Sequence, residues 1–524
     1  MSVVSGTGAA PLKPLRIDAP RRVLDGFGRA VRSASLFAAP RTAKELAILL
    51  RRAAEERLPV AFRGSGRSYG DASLNSGGLV LDLTGMSRML SWDPVSGIAE
   101  AEPGLTIEGL WRRTIEDGFW PAVVPGTMFP TLGGCLGMNI HGKNNFRAGT
   151  FGEHVLDFDL LTMTGERVLC SREENPELFH AVIGGAGLLG AVSRVRLKLK
   201  RVESGTVRVE ALAARSLGEM FDLFEERLPV SDYLVGWLDC WGGGRGQIHQ
   251  ANYLPGEEDP QGRASLHVER QGLPPKILGL PRSQIYRFMG PALTATGTRA
   301  VNFAKYTLAR WKTGNTFTQS LVAFSFLLDY VPNWQLAYGS RGFIQVQLFV
   351  PDDAARTVLP EVLHRCRERG LVSSLGVLKR HRPDPFLMTH GLDGWSLALD
   401  FKVPRNREAL WDLGREISAR VIDAGGRFYL AKDAILRPAD FAAAYNPRLH
   451  TFLTLKRRVD PYGLLMSDQS RRLLGTCGKV SGLLEKQAYR LSQWAHLRES
   501  LGTWRKVSGL SGKSRDFWKN KLIG

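Results

Sequence analysis

Pro125-Gly126-Thr127 runs through Gly133-Gly134 to Asn139-Ile140-His141-Gly142-Lys143-Asn144-Asn145, a stretch in which glycines, hydroxyls and hydrogen-bonding side chains replace the apolar periodicity of a core. Glycine lacks the Cβ that would hold a ligand off, so this stretch reads as backbone wrapped closely around a large polar molecule. A second glycine loop, Arg63-Gly64-Ser65-Gly66-Arg67-Ser68-Tyr69-Gly70-Asp71, follows the strand-like run Val60-Ala61-Phe62. Two loops that offer successive backbone N–H groups suit a diphosphate-containing cofactor. No P-loop lysine signature accompanies them, which disfavours nucleotide hydrolysis. A third cluster, Gly185-x-Gly187-x-x-Gly190, has the spacing of the dinucleotide fingerprint, but that fingerprint must open a helix. Here Val195, Leu197 and Leu199 alternate with Arg194, Arg196, Lys198 and Lys200, which predicts a strand. The glycines therefore read as a turn that presses against a ligand, not as a nicotinamide site.

Around these loops the chain alternates short strands and helices. Thr42 and Glu45 have capping-box spacing ahead of Leu46, Leu49, Leu50 and Ala53, which predicts an amphipathic helix over 42–58. Leu79 to Leu83 and Ile98 to Glu102 read as strands. Composition shifts after Arg201. The segment to about Gly425 holds a strand pattern over Gly342–Val350 and two helical patterns, one after Pro351 and one carrying Leu410, Leu413, Ile417 and Val421, and reads as a second α+β domain. Within it, Pro255 to Arg282 is rich in Gly, Pro and charge and predicts a long mobile loop, with a lid as its functional reading.

The 524-residue chain, 44% hydrophobic and 23% charged, is globular and too long for one core. Its net charge of +19 favours an anionic partner: nucleic acid, a phosphorylated substrate or an acidic membrane surface. Cys135, Cys170, Cys240, Cys366 and Cys477 are scattered, with no CxxC pair or zinc spacing, so no metal site is expected and a reducing compartment fits best. Neither a signal core nor a spanning apolar run is present. From Lys479 to Gly524, ten Lys/Arg against three Asp/Glu interleave with Leu491, Trp494, Leu497, Leu501 and Trp504. Such a tail suits an anionic membrane surface, or packs on its own protein with a solvated basic face. No nucleic-acid-binding signature accompanies the charge, so no nucleic-acid partner is expected.

Taken together, Arg63 to Asp71, Pro125-Gly126-Thr127, Gly133-Gly134 and Gly184-Gly185-Ala186-Gly187, in this order and spacing, resemble the FAD-binding half of the vanillyl-alcohol-oxidase flavoproteins, the p-cresol-methylhydroxylase (PCMH) type. Within that superfamily the chain is most similar to the branch that oxidises polyprenylphosphoryl ribose. That likeness rests on Ile140 to Asn144, Ala148 to Gly152, Gly342 to Gln347, Tyr429-Leu430-Ala431-Lys432-Asp433, Arg457 to Pro461 and Ser467-Asp468. It covers roughly residues 25–475. The resemblance implies an α+β fold: a two-subdomain FAD-binding domain over 25–200 and 427–475, and an α+β cap with an antiparallel sheet over 201–426. Residues 1–24 form an N-terminal arm and 476–524 the basic tail.

Residue by residue, the resemblance implies FAD contacts from Gly64, Gly66, Arg67, Ser68, Tyr69, Gly70, Gly126, Thr127, Thr131, Gly134, Ile140, His141, Val192 and Tyr429. Arg67 stands where covalent members often carry a histidine, so the FAD should be non-covalent. Lys432 is expected beside the N1/C2 carbonyl edge of the flavin, where a cation stabilises developing negative charge, or on a substrate phosphate. His141 is a flavin contact or the base that takes the hydroxyl proton, against the plainer reading of a hydrogen-bonded structural histidine. Lys143 is a candidate for substrate phosphate. Trp237, Phe324, Gln345, Gln347 and Lys379 are expected to line the substrate pocket, with Gln345 and Gln347 on one face of a strand.

The chain departs from that branch at Ser325, Ser396 and Ala398, where the pattern has tyrosine, asparagine and cysteine. The implied activity is oxidation of a secondary hydroxyl, C2 of a polyprenylphosphoryl ribofuranose, with a nicotinamide-dependent short-chain reductase completing epimerisation at the inner face of the cytoplasmic membrane. A soluble sugar-lactone or alditol oxidase, or a flavin-free membrane or nucleic-acid binding scaffold, are the competing readings.

Overall fold

A computed structural model describes residues 17–277 and 279–475; the basic tail and Cys477 lie outside them, as does most of the N-terminal arm. The described chain mixes helices with largely antiparallel sheets, an α+β fold. Among the described residues no helix is long and apolar enough to cross a membrane.

A four-stranded sheet runs in the order Arg21–Asp25, Arg32–Ala38, Leu79–Asp82, Val60–Arg63, antiparallel at its first pair and parallel at the others. Its first strand lies largely inside the segment read as an arm, so the chain joins the sheet by Arg21. Hydrophobic patterning is weak there because the strand is an exposed edge. The helix Ala43–Glu55 packs on this sheet through buried Leu46, Leu50 and Ala53 against Val60, Leu79 and Leu81. Thr42 caps it by accepting from Glu45 N at 3.1 Å, while the Glu45 carboxylate reaches past Thr42 to accept from Arg41 N at 2.8 Å.

A five-stranded antiparallel sheet runs Met89–Asp93, Ile98–Ala101, Ala191–Lys198, Val155–Leu161, Arg167–Ser171. The third glycine cluster turns directly into its central strand, with Gly184 and Gly187 at φ of 82° and 74°. It is a turn and not a helix start, as the alternation predicts.

An eight-stranded antiparallel sheet collects Thr316–Ser320, Thr206–Ala214, Gly246–Tyr253, Tyr233–Leu238, Gly376–His381, Gly394–Lys402, Phe343–Pro351 and Arg427–Phe428, in that order. The helices Leu217–Arg227, Asp352–Glu368 and Arg407–Asp423 pack on it, the last through Leu410, Leu413, Ile417 and Val421. Residues 255–271 are not the open loop that their composition suggests. Short 3-10 turns are pinned by buried Gln271, whose Nε2 donates to the carbonyls of Gly205 and Ser265 at 2.8 Å each while its Oε1 accepts from Val322 N. Buried polar anchors of this kind leave no apolar periodicity to read.

Candidate active site

The glycine loops and one face of the eight-stranded sheet enclose a cavity of about 670 Å³. Gly64, Gly66, Arg67, Ser68, Tyr69, Gly126, Thr127, Thr131, Gly134, Ile140, His141, Val192 and Tyr429 line it, together with Lys143, Trp237, Gln345, Gln347, Lys379 and Lys432. Gly70 and Phe324 do not. Gly70 instead seals the wall: a Cβ there would lie 2.0 Å from the Asp433 carbonyl oxygen, so only glycine lets the two chain segments meet. Phe324 is buried against Tyr233, and its ring lies under the Lys143 ammonium.

At the glycine end the loops are stitched to each other. The Ser65 hydroxyl donates to Phe129 O at 2.6 Å, and a Cβ at Gly64 would meet Thr131 Oγ1 at 2.2 Å. Thr131 accepts from Gly134 N and caps the helix Leu132–Gly137. The Arg67 guanidinium lies over the Phe27 and Phe129 rings, and its Nε is buried with no hydrogen-bond partner among the described residues. Asp329, absent from the sequence reading, holds the Pro125–Thr131 loop by accepting from the Thr127 hydroxyl and from Met128 N, both at 2.7 Å. Burial pushes its carboxyl up to about 6. Asp329→Ala leaves a hydroxyl and a buried N–H without an acceptor, and should lower stability by about 1–3 kcal/mol in thermal melting.

The other end is cationic and amide-rich. His141 is buried, and burial, reinforced by Lys379, His381, His390 and Lys432, holds its imidazole well below the usual range. Gln347 Nε2 stands 2.9 Å from His141 Nε2, and Lys379 Nζ 3.5 Å from Nδ1. Neutral imidazole has one N–H and one lone pair, so the charge on Lys379 sets the tautomer. Charged Lys379 makes Nδ1 the acceptor and puts the proton on Nε2, so the Gln347 amide must then turn its Oε1 to accept; neutral Lys379 accepts from Nδ1–H and leaves the Nε2 lone pair to the Gln347 amide N–H.

The network continues through Ser396 Oγ, 3.4 Å from Gln347 Nε2 and 2.7 Å from His381 Nε2. Gln345 donates to Asp400 Oδ1. Lys432 Nζ sits 3.4 Å over the centre of the Tyr69 ring. Burial pulls the Lys432 ammonium down and pushes the Asp400 carboxyl up, while each favours the charged form of the other.

Lys143 lines the cavity and is also tied to the backbone. Its Nζ donates to the carbonyls of Phe324 and Ser325 and lies 4.4 Å from the Phe324 ring centre, so it straps a short cap helix to the glycine stretch. Two of its three N–H donors go to carbonyl acceptors, which leaves one for a ligand. Beside Asp329 and Asp400, sequence reasoning missed His249, His381, His390 and Lys305. Only Lys305 offers a sequence signal, a lysine within a stretch free of acidic residues. It reaches the cavity with Nζ 3.9 Å over the Trp237 ring.

The residues present fit FAD. Glycine backbone, a capped turn and a buried unpartnered guanidinium nitrogen suit a diphosphate, and Gly64, Gly66, Arg67, Ser68, Thr127 and Thr131 would hold it. The fold and cavity are those of an FAD-dependent oxidoreductase. An "FAD binding domain" family matches residues 34–171. The chain is 30% identical over 472 residues to decaprenylphosphoryl-beta-D-ribose oxidase of Mycolicibacterium smegmatis, covering 86% of this chain and 97% of that protein. It is 28% identical over 377 residues to a Streptomyces coelicolor "uncharacterized protein in mprA 5'region", 70% of this chain and 100% of that one. Cytokinin dehydrogenase 6 of Oryza sativa is 36% identical over 193 residues, 35% of this chain and 37% of its own length. The chain belongs to the PCMH-type FAD-dependent oxidoreductases, the family of the mycobacterial oxidase.

Proposed function

We propose that this enzyme oxidises a secondary sugar hydroxyl to a ketone, most specifically C2 of a polyprenylphosphoryl-β-D-ribofuranose, with non-covalent FAD. The observation that carries this reading is the pairing of two amides, Gln345 and Gln347, with Lys379, Lys305 and Lys432 around one end of the cavity. Amides suit sugar hydroxyls, and ammonium groups suit a phosphate. Bound FAD supplies the two-electron acceptor. His141, held neutral, and Lys379 against its Nδ1 form the candidate proton relay, taking the hydroxyl proton on the neutral member of the pair. Lys432 supplies positive charge at the same end of the cavity. Residues 25–200 with 427–475 serve as the cofactor half and 201–426 as the cap. The ketone product calls for a nicotinamide-dependent short-chain reductase to complete an epimerisation at the inner face of the cytoplasmic membrane.

The test is anaerobic flavin bleaching by polyprenylphosphoryl ribose beside alditols and aldonolactones. Bleaching by the lipid-linked sugar alone supports the proposal; bleaching only by the soluble compounds replaces it with a soluble sugar oxidase. The flavin should leave the protein on acid precipitation, and colour retained in the pellet would contradict non-covalent binding.

Lys379 and Lys305 add a pH signature. Burial pulls each ammonium from 10.5 to about 8; Lys305 is reached by solvent through the cavity yet crowded by protein. A phosphate needs the charged form. Affinity for inorganic pyrophosphate, read as inhibition of flavin bleaching, should therefore fall as pH rises through about 8, by up to tenfold per pH unit for each lysine. The stability sign is opposite. Between about 8 and 10.5 the unfolded chain keeps protons that these folded lysines have released, so their contribution to stability rises with pH across that window.

A further inference from the structure

The helix Ala295–Trp311 is amphipathic with its faces reversed. Its buried side chains are Thr298, Asn302, Tyr306 and Ala309. Thr298 Oγ1 donates to Ala292 O at 2.8 Å, and Asn302 Nδ2 to Asp239 Oδ1 at 3.0 Å. With about 100° between successive residues, Ala300, Val301, Ala304, Leu308 and Trp311 share a stripe on the opposite side. Val301, Leu308 and Trp311 are 49%, 51% and 82% exposed, and neighbouring Phe303 is 60% exposed. An apolar stripe turned to water along a helix whose buried face is half polar marks an interaction surface.

Charge says what kind. From Arg270 to Leu328 the chain carries eight Lys/Arg and no Asp or Glu. On the helix, Arg299 and Arg310 flank the stripe on one side and Lys305 and Lys312 on the other. An apolar stripe bracketed by cations matches the interface of an anionic bilayer, with apolar side chains among acyl chains and cations among headgroups. A second copy of this face is disfavoured, because an isologous contact would set like charges against each other. Lys305 belongs both to this helix and to the cavity wall, and Arg282, from the same acid-free segment, also lines the cavity. We propose that Ala295–Trp311 is a docking helix that seats the protein on an anionic membrane with this rim of the cavity toward the lipid. The docking surface stands apart from the substrate reading and from the basic tail, which is intact in the experiment that tests it.

Full-length protein is sedimented with vesicles of phosphatidylcholine containing phosphatidylglycerol, and with phosphatidylcholine alone. Native protein should prefer the anionic vesicles. Leu308→Glu/Trp311→Glu should weaken that binding about tenfold or more, while flavin content and melting temperature stay unchanged. Arg299→Gln/Arg310→Gln/Lys312→Gln should abolish the preference for anionic over neutral vesicles. Native-like vesicle binding by both variants would overturn the proposal and leave the tail as the anchor. A native dimer that Leu308→Glu/Trp311→Glu converts to monomer, with vesicle binding unchanged, would overturn it in favour of a self-interface. Loss of vesicle binding without any loss of bound flavin keeps the docking surface distinct from the proposed activity.

Discussion

Lys432→Met should keep its FAD and yet be reduced by substrate about 10²- to 10³-fold more slowly than the native enzyme, the loss that follows removal of one preorganised electrostatic group. Lys432 is half-buried in the cavity wall with Nζ over the Tyr69 ring, and it is not among the groups that would hold the diphosphate. Its removal also leaves Asp400, buried and already pushed toward its neutral form, without the cation that favours its charge. The single variant therefore combines a lost catalytic charge with an unsettled carboxyl. Lys432→Met/Asp400→Asn separates them: the amide should restore melting temperature and leave flavin reduction slow. Anaerobic stopped-flow reduction reads the rate and the absorbance spectrum reads the cofactor. Native-rate reduction in the single variant would remove Lys432 from the chemistry.

The parts of this molecule legible in its sequence are those encoded by local period and backbone chemistry. Alternation after Gly190 announces a strand, and Ala191–Lys198 is one. Period two places Gln345 and Gln347 on one face, and both reach the cavity. Leu410, Leu413, Ile417 and Val421 mark the buried face of their helix. Contacts between distant segments leave no such trace. Asp329 meets Thr127 and Met128 across some two hundred positions. His141 meets Gln347, Lys379 and His381 only because the eight-stranded sheet delivers them to one face, and His390 because the loop between two of its strands returns there. Lys143 shows the same limit: nothing in its neighbours announces the two backbone carbonyls, nearly two hundred positions away, that the fold sets before it. Residue type indicates what a side chain can do; topology decides what it is given to do it with.

Arg472→Met should cost about 3–5 kcal/mol and most of the bound FAD, because it opens the closure that brings the returning chain back to the first glycine loop. Arg472 Nε and Nη2 grip Asp71 at 2.9 and 2.8 Å, Nη2 also reaches Asp433 at 2.8 Å, and Nη1 donates to Leu436 O at 2.7 Å. Asp71 ends the Arg63 loop and Asp433 ends the Tyr429 segment, so one guanidinium holds two cavity walls together where Gly70 presses on the Asp433 carbonyl. Without it, two carboxylates face each other in a buried joint. Arg472→Lys should recover only part of the loss, since one ammonium cannot reproduce the bidentate grip on Asp71 and still reach Asp433 and Leu436. Arg472 is not among the residues lining the cavity, which gives the test its discrimination. Melting temperature and flavin retained through gel filtration should both fall, while the turnover of molecules that keep their flavin stays native. A variant with native melting and full flavin would show that the closure rests on the Gly70 contact alone, and one with slowed turnover at full flavin would place Arg472 in the chemistry after all.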